Sequence, residues 1–285
     1  MRQPTAPARW PVRLRGDYAA AAADYTVAQP LDTYADAEHA LWARLLARQS
    51  ALLGDHAAPQ FIAGVEALQL GPRIPCFEQA SERLHARTRW RLVGVPGLIP
   101  EKEFFEHLSQ RRFPVTVWLR RPDEIDYLAE PDLFHDFFGH VPLLFDPDFA
   151  DFMELYGRAG SRAIEHGGLG MLARLYWYGV EFGLLETERG LRCYGSGILS
   201  SYRETRHALA SPEPRRIRFR LERVLRSEYL IDDLQRSYFV LRSFAQLMRE
   251  AVDTDFAPLY AAWRDQPGIA PGELVPGDEL VSGGA

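Results

Sequence analysis

His135 and His140 lie five residues apart in Glu130-Pro131-Asp132-Leu133-Phe134-His135-Asp136-Phe137-Phe138-Gly139-His140-Val141-Pro142, a run otherwise aromatic, acidic and rich in helix breakers. Two imidazoles converging on one point suit a transition metal, which still needs at least one more ligand. On an ideal α-helix, five residues separate the rings by about 140° around the axis, so a regular helix keeps them apart. Gly139 and Pro142 bracket the second histidine. The expectation is a helix that carries His135, unwinds near Gly139 and lets His140 swing back.

The third ligand has one strong candidate. Residues 172–185 form a long apolar stretch, expected to be helical, in which Glu181 is the only acid. An unpaired carboxylate in such a wall is expensive to bury, and coordinating a cation removes that penalty. Two histidines and one carboxylate with positions left open make the facial triad of non-haem Fe(II) oxygenases. Plainer readings compete: a histidine pair that serves packing, and a glutamate that meets an arginine such as Arg174. The pair and the acid, together in one aromatic setting, favour the metal.

The elements that must position these groups read as mainly helical. Within residues 32–53, Ala40, Leu41, Leu45, Leu46 and Leu52 recur at three- and four-residue steps, with Asp32 or Thr33 as a cap. Further helices are expected over 59–70, 77–88 and 101–110. Phe149, Phe152, Met153 and Tyr156 mark another, and such a stripe is core. Residues 90–100 read as a short strand running into a glycine- and proline-rich loop, and 113–119 as a second strand. Cys193 to Ser201 is a small-residue loop fit for close approach to a ligand, but without the G-K-[ST] of a phosphate cradle. A last helical region covers 217–225 and 234–252. Residues 1–29 read as a flexible arm with some packing from Trp10 and Tyr25, and 266–285 as a disordered tail. That leaves 30–265 as one catalytic domain, mainly α with a few short strands.

Composition narrows the function. The 285 residues carry 47% hydrophobic and 25% charged side chains and a net charge of -6, and the pI is near 5.8. No basic surface invites nucleic acid or an anionic membrane. Lys102 is the only lysine. Cys76 and Cys193 form no metal or disulfide motif and fit free thiols in a reducing cytoplasm. Ala19 to Ala23 is too short for a signal-peptide core and is followed by Asp24, and no apolar run reaches the length of a membrane span.

Three motifs stand in order: Glu-Pro-Asp-x-x-His-Asp-x-x-Gly-His-Val-Pro-Leu from Glu130, Tyr-Trp-Tyr-x-Val-Glu-Phe-Gly-Leu from Tyr176, and Tyr-Gly-x-Gly-x-Leu-Ser-Ser from Tyr194. On these, the chain resembles the tetrahydropterin-dependent aromatic amino acid hydroxylases over residues 72–244, most closely the bacterial branch that hydroxylates phenylalanine. The resemblance implies Fe(II) on His135, His140 and Glu181, with tetrahydrobiopterin or a related tetrahydropterin as reductant for O2 and L-tyrosine as product. It implies that Gly97, Leu98 and Ile99 bind the pterin by their backbone, that Phe104 stacks on it and that Glu130 lies near it. Arg120 falls where the family grips the substrate carboxylate, with Asp132 steadying it; a planar guanidinium suits that task because it binds a carboxylate through two hydrogen bonds. Tyr127 and Trp177 match aromatics near the substrate, and Ser200 a group behind the ligands.

Family members differ in substrate. Trp177 matches phenylalanine and tyrosine hydroxylases, where tryptophan hydroxylases carry Phe. Ile231 matches an apolar position of phenylalanine hydroxylases, where tyrosine hydroxylases carry an acid. Phenylalanine is therefore expected, with tyrosine or tryptophan hydroxylation as alternatives. The animal enzymes' regulatory domain and tetramerising helix find no counterpart, so a monomer is expected. A different-class alternative, a hydrolase with metal on His135-Asp136, gives the pterin-loop and Tyr-Trp-Tyr stretches no role.

Overall fold

Phe134, Phe137 and Phe138, the apolar residues around and between the two histidines, are fully buried and sit at the middle of the core. Phe134 stacks on Phe138 with ring centroids 4.9 Å apart, and Phe137 stacks on Phe77 at 5.9 Å. Trp42 meets Phe134 edge-on at 5.4 Å, and Phe61 meets Phe138 at 5.8 Å. Such offset and edge-on contacts add to the area buried by each ring. Three N-terminal helices thus back the histidine segment.

The computed structural model describes residues 14–126, 128 and 130–282. Residues 1–13 of the expected arm, with Trp10, lie outside the described residues, as does Tyr127. The backing helices are α1 (Asp36–His56), α2 (Pro59–Leu68) and α3 (Phe77–Thr88). Strand β1 (Arg91–Val95), helix α4 (Glu101–Ser109) and strand β2 (Arg112–Thr116) follow, and β1 pairs with β2 in parallel. After the histidine segment come α5 (Pro147–Glu165) and α6 (Leu169–Tyr176), then β3 (Gly183–Thr187) and β4 (Gly190–Cys193). The chain closes with α7 (Ser196–Leu199), α8 (Tyr202–Ala210), β5 (Arg215–Arg218), α9 (Leu221–Leu225), β6 (Ser237–Leu241), α10 (Phe244–Val252) and α11 (Phe256–Trp263). The second sheet runs β4-β3-β6-β5. The fold is mainly helical, as expected, with one continuous core.

The periodic segments fold as read. α1 buries Leu41, Trp42, Leu45, Gln49 and Leu53, and α5 buries Phe149, Phe152, Met153 and Tyr156, each along one stripe. α1 starts at Asp36 rather than Asp32, its first turn closed by Glu38 accepting the Ala35 N–H at 2.9 Å.

Four expectations are corrected. The histidine segment does not unwind: His135–His140 is a π-helical turn. The helix over 172–185 stops earlier, because α6 passes into a second π turn, Trp177–Glu181, and residues 183–187 form β3. The region 234–252 is not one helix, since all five residues of β6 are buried and paired on both sides. A strand buried on both faces reads as an unbroken apolar run, which periodicity cannot separate from a core helix; β5 likewise replaces the start of the helix expected over 217–225.

The fourth correction concerns the chain's ends. Residues 266–282, expected to be disordered, lie against the body: Ile269 is 5% exposed, Arg218 N–H donates to Glu279 O at 2.8 Å, and Val281 N–H to Arg216 O at 2.8 Å. The tail thereby covers the outer edge of β5, where unpaired backbone would otherwise face water. It is pinned by Asp278, which accepts from buried Arg223 Nε at 3.0 Å. The described part of the arm is also docked, with Tyr18 buried and its hydroxyl donating to Leu98 O at 2.8 Å.

Candidate metal centre

The π winding brings the histidines together. Its i→i+5 repeat places residues five apart one above the other, where an α-helix keeps them apart. His135 Nε2 and His140 Nε2 are 3.3 Å apart. The second π turn, closed by Phe182 N–H donating to Trp177 O at 2.8 Å, delivers Glu181 to the same point. Its Oε1 lies 3.1 Å from His140 Nε2 and its Oε2 3.6 Å from His135 Nε2.

These separations fit a metal. Two donors about 2.1 Å from an ion and roughly 90–120° apart lie about 3.0–3.6 Å from each other. The three residues are the one group of at least three His, Cys, Asp or Glu among the described residues whose ligand atoms converge, all within 4.8 Å. Burial opposes charge on Glu181, but His140 and His135 outweigh it and hold the carboxyl well below its ordinary range. Burial also works against a charged His135, and Glu181 more than offsets it, raising that imidazole. Arg174, the glutamate's alternative partner, pairs instead with Glu228. Asp136, the hydrolase alternative's ligand, turns to β2 and accepts the Thr116 N–H at 2.8 Å.

Two serines hold the ligands from behind. Ser200 Oγ is 2.9 Å from His135 Nδ1, which leaves Nε2 to face the centre. Ser196 Oγ donates to Glu181 Oε2 at 2.6 Å. Residues 193–201, expected as a loop, contain the short helix α7, which Ser196 opens, and its approach to Glu181 needs Gly195: a Cβ there would lie 2.3 Å from the Glu181 carbonyl oxygen. The segment's glycines thus serve close contact with the end of the π turn that carries Glu181.

Arg120 and Asp132 form a buried pair, with Nε donating to Oδ2 at 2.8 Å and Nη2 to Oδ1 at 2.9 Å. Asp132 also accepts the backbone N–H of Arg120 at 2.9 Å and of His135 at 3.0 Å. On the other side, Gly97 takes φ +145°, a conformation that favours glycine, and a Cβ there would lie 2.7 Å from Glu130 Oε1. Glu130 Oε1 is buried and has no hydrogen-bond partner among the described residues, which leaves an acceptor available to a ligand N–H. Leu98 is held by Tyr18, and Ile99 is partly exposed beside it. Phe104 is half-buried, edge-on to Tyr176 at 5.7 Å, and Tyr176 lies 6.1 Å from the His140 ring. An aromatic platform and an orphaned acceptor flanking one loop fit a flat, N–H-bearing ring such as a pterin.

Trp177 is half-buried between Tyr229 at 4.1 Å and Phe182 at 4.6 Å, and its Nε1–H donates to Gln235 Oε1 at 3.0 Å. Ile231 is 58% exposed. Sequence reasoning missed Ser196 and Gln235. The first lay inside a motif already singled out, whereas Gln235 carried no signal.

A family profile described as biopterin-dependent aromatic amino acid hydroxylase matches residues 8–257. A phenylalanine-4-hydroxylase of Chromobacterium violaceum is 50% identical over 262 residues, 92% of this chain and 88% of that protein. One from Ralstonia nicotianae is 49% identical over 262 residues, 92% of this chain and 83% of that protein. The iron- and phenylalanine-bound crystal structure of the Chromobacterium violaceum enzyme superposes with a TM-score of 0.87 at 49% identity, covering 91% of this chain and 95% of that one.

Proposed function

This chain belongs to the biopterin-dependent aromatic amino acid hydroxylases, and within that family we propose that it is a phenylalanine 4-monooxygenase. It hydroxylates L-phenylalanine to L-tyrosine with O2 and a tetrahydropterin at a non-haem Fe(II) centre. The observation that carries the reading is the convergence of His135, His140 and Glu181 in a chain half identical to enzymes of that name. Tyrosine formation from phenylalanine with Fe(II), tetrahydropterin and air tests it, and competition among the three aromatic amino acids tests the substrate. A higher kcat/KM for tyrosine or tryptophan would reassign the substrate and leave the metal chemistry standing.

His135, His140 and Glu181 hold the metal, and Ser200 and Ser196 keep two of these ligands oriented. Bound there, iron with the tetrahydropterin supplies the activation of O2, one atom of which enters the aromatic ring. Phe104 would offer the pterin a stacking face, Glu130 would accept from a ring N–H, and the backbone of Gly97, Leu98 and Ile99 would border it. Arg120 binds the carboxylate of phenylalanine, because Asp132 occupies its Nε edge and leaves Nη1 for a second acid. Trp177 walls the substrate ring, which fixes its position and excludes water, and the family resemblance assigns Tyr127 the same task.

We place the protein in the cytoplasm as a monomer. Cys76 and Cys193 are both free thiols, which suits a reducing compartment. Among the described residues, no helix is long and apolar enough to cross a membrane, and the large exposed apolar side chains, such as Ile164, Ile231 and Val252, are few. We assign catalysis to residues 30–265, with the tail as their strap.

A further inference from the structure

Trp177 opens the π turn that ends in Glu181, and in the reading above its indole borders the substrate ring. Its two stacking partners, Tyr229 with planes 13° apart and Phe182 with planes 28° apart, confine the indole to a plane. Stacking is tolerant of sliding and rotation within that plane. A directional hydrogen bond is not, and the indole has one, from Nε1–H to Gln235 Oε1.

We propose that Gln235 is a positioning residue for substrate choice, locking the indole of Trp177, at the start of the π turn that delivers Glu181, through that hydrogen bond. The inference rests on the hydroxylase reading above and adds a residue to it. Gln235 is itself held on every side. It is 2% exposed, and its Nε2 donates to Leu230 O at 2.6 Å and Asp233 O at 3.2 Å. Those two carbonyls settle which end of the amide faces the indole, because a flipped amide would set oxygen against oxygen and N–H against N–H. Its backbone N–H donates to buried Glu204 Oε1 at 3.1 Å, and the same oxygen accepts the Tyr238 hydroxyl at 2.5 Å. Its carbonyl lies 3.1 Å from His207 Nε2. A buried amide with its side-chain and backbone groups all engaged is a rigid support, and an apolar residue there could fill the volume without fixing the rotation.

The test measures kcat and KM for phenylalanine and tryptophan, and KM for tetrahydropterin, on the iron-loaded full chain. The variants are Gln235→Met, Trp177→Phe and the double variant. Gln235→Met is expected to raise KM for phenylalanine about tenfold, the effect of one lost buried hydrogen bond, with KM for tetrahydropterin within about twofold. The preference for phenylalanine over tryptophan falls, and it falls no further when Gln235→Met is added to Trp177→Phe, where the indole N–H is already gone. An unchanged preference, or an equal change in both backgrounds, overturns the inference. If Gln235→Met does not fold, Gln235→Leu takes its place under the same criteria, and an unchanged preference overturns the inference. Absence of turnover in the unsubstituted protein overturns the hydroxylase reading itself, and is seen before any variant is compared.

Discussion

Asp132 holds Arg120 in a two-pronged grip, Nε to Oδ2 at 2.8 Å and Nη2 to Oδ1 at 2.9 Å, with the acid completely buried. Through Oδ1 the same carboxylate accepts the backbone N–H of His135 at 3.0 Å. One acid therefore ties the guanidinium proposed to receive the substrate to one of the three side chains that converge on the candidate metal centre. A displacement of either is felt by the other.

Arg120→Lys is expected to raise KM for phenylalanine roughly ten- to hundredfold, matching a lost charge-assisted pair of about 1.5–3 kcal/mol, with little change in KM for tetrahydropterin. Steady-state kinetics in each cosubstrate checks this. Equal losses for both would make Arg120 a structural residue and turn attention to Arg121.

Asp132→Asn leaves the Arg120 charge buried without its counter-ion. It is expected to cost about 3–5 kcal/mol of stability, read from urea unfolding. A loss below about 1 kcal/mol would show that water reaches the pair.

Glu181→Ala removes a ligand outright and should abolish both iron binding and activity, with the circular-dichroism spectrum unchanged. Ser200→Ala removes only the group behind His135 and is expected to weaken iron about 10–100-fold. Chelator competition separates the two effects. Full iron content in Glu181→Ala would remove it from the ligand set and bring Asp136 forward.

The Arg15 guanidinium hydrogen-bonds the Glu124 carboxylate and lowers its pKa to about 2. A depressed carboxylate contributes stability that is present above its unfolded value, about 4.3, and lost as pH falls through the folded one. Glu124→Gln should therefore be less stable than the parent above about pH 4 and converge with it near pH 2. Curves that stay parallel across that window would show that the docked segment contributes nothing through this pair.

Asp278 is the tail's anchor: Arg223 gives it Nε at 3.0 Å and 3.2 Å, and donates Nη2 to Glu273 O at 2.7 Å. Asp278→Asn is expected to destabilise by about 3 kcal/mol, as for any broken buried pair, and to make residues 266–282 sensitive to protease. Unchanged protection would mean that the backbone pairing to β5 suffices.

The sequence by itself determined which side chains are the candidates for the chemistry. His135, His140 and Glu181 were legible because so few groups can hold a metal, and an acid in an apolar wall needs a reason to be there. Helices α2, α3 and α5 were legible as well, since one-sided burial writes a 3.6-residue period into the residues themselves.

Tertiary structure decided how those side chains meet. Whether residues five apart share a face depends on the winding of the helix, and His135–His140 is wound as a π turn with Phe134, Phe137 and Phe138 packed on Trp42, Phe61 and Phe77, far away in the chain. β6 was read as helix because burial on both faces erases the period that would have named it. The tail was read as disordered because its composition is local, whereas its order comes from Arg223 and the open edge of β5. Gln235 had no local mark at all, since its partners on Trp177 and Glu204 exist only once the chain is folded. Residue chemistry is a property of position in the chain, but convergence is a property of packing, which joins residues that sequence separation keeps apart.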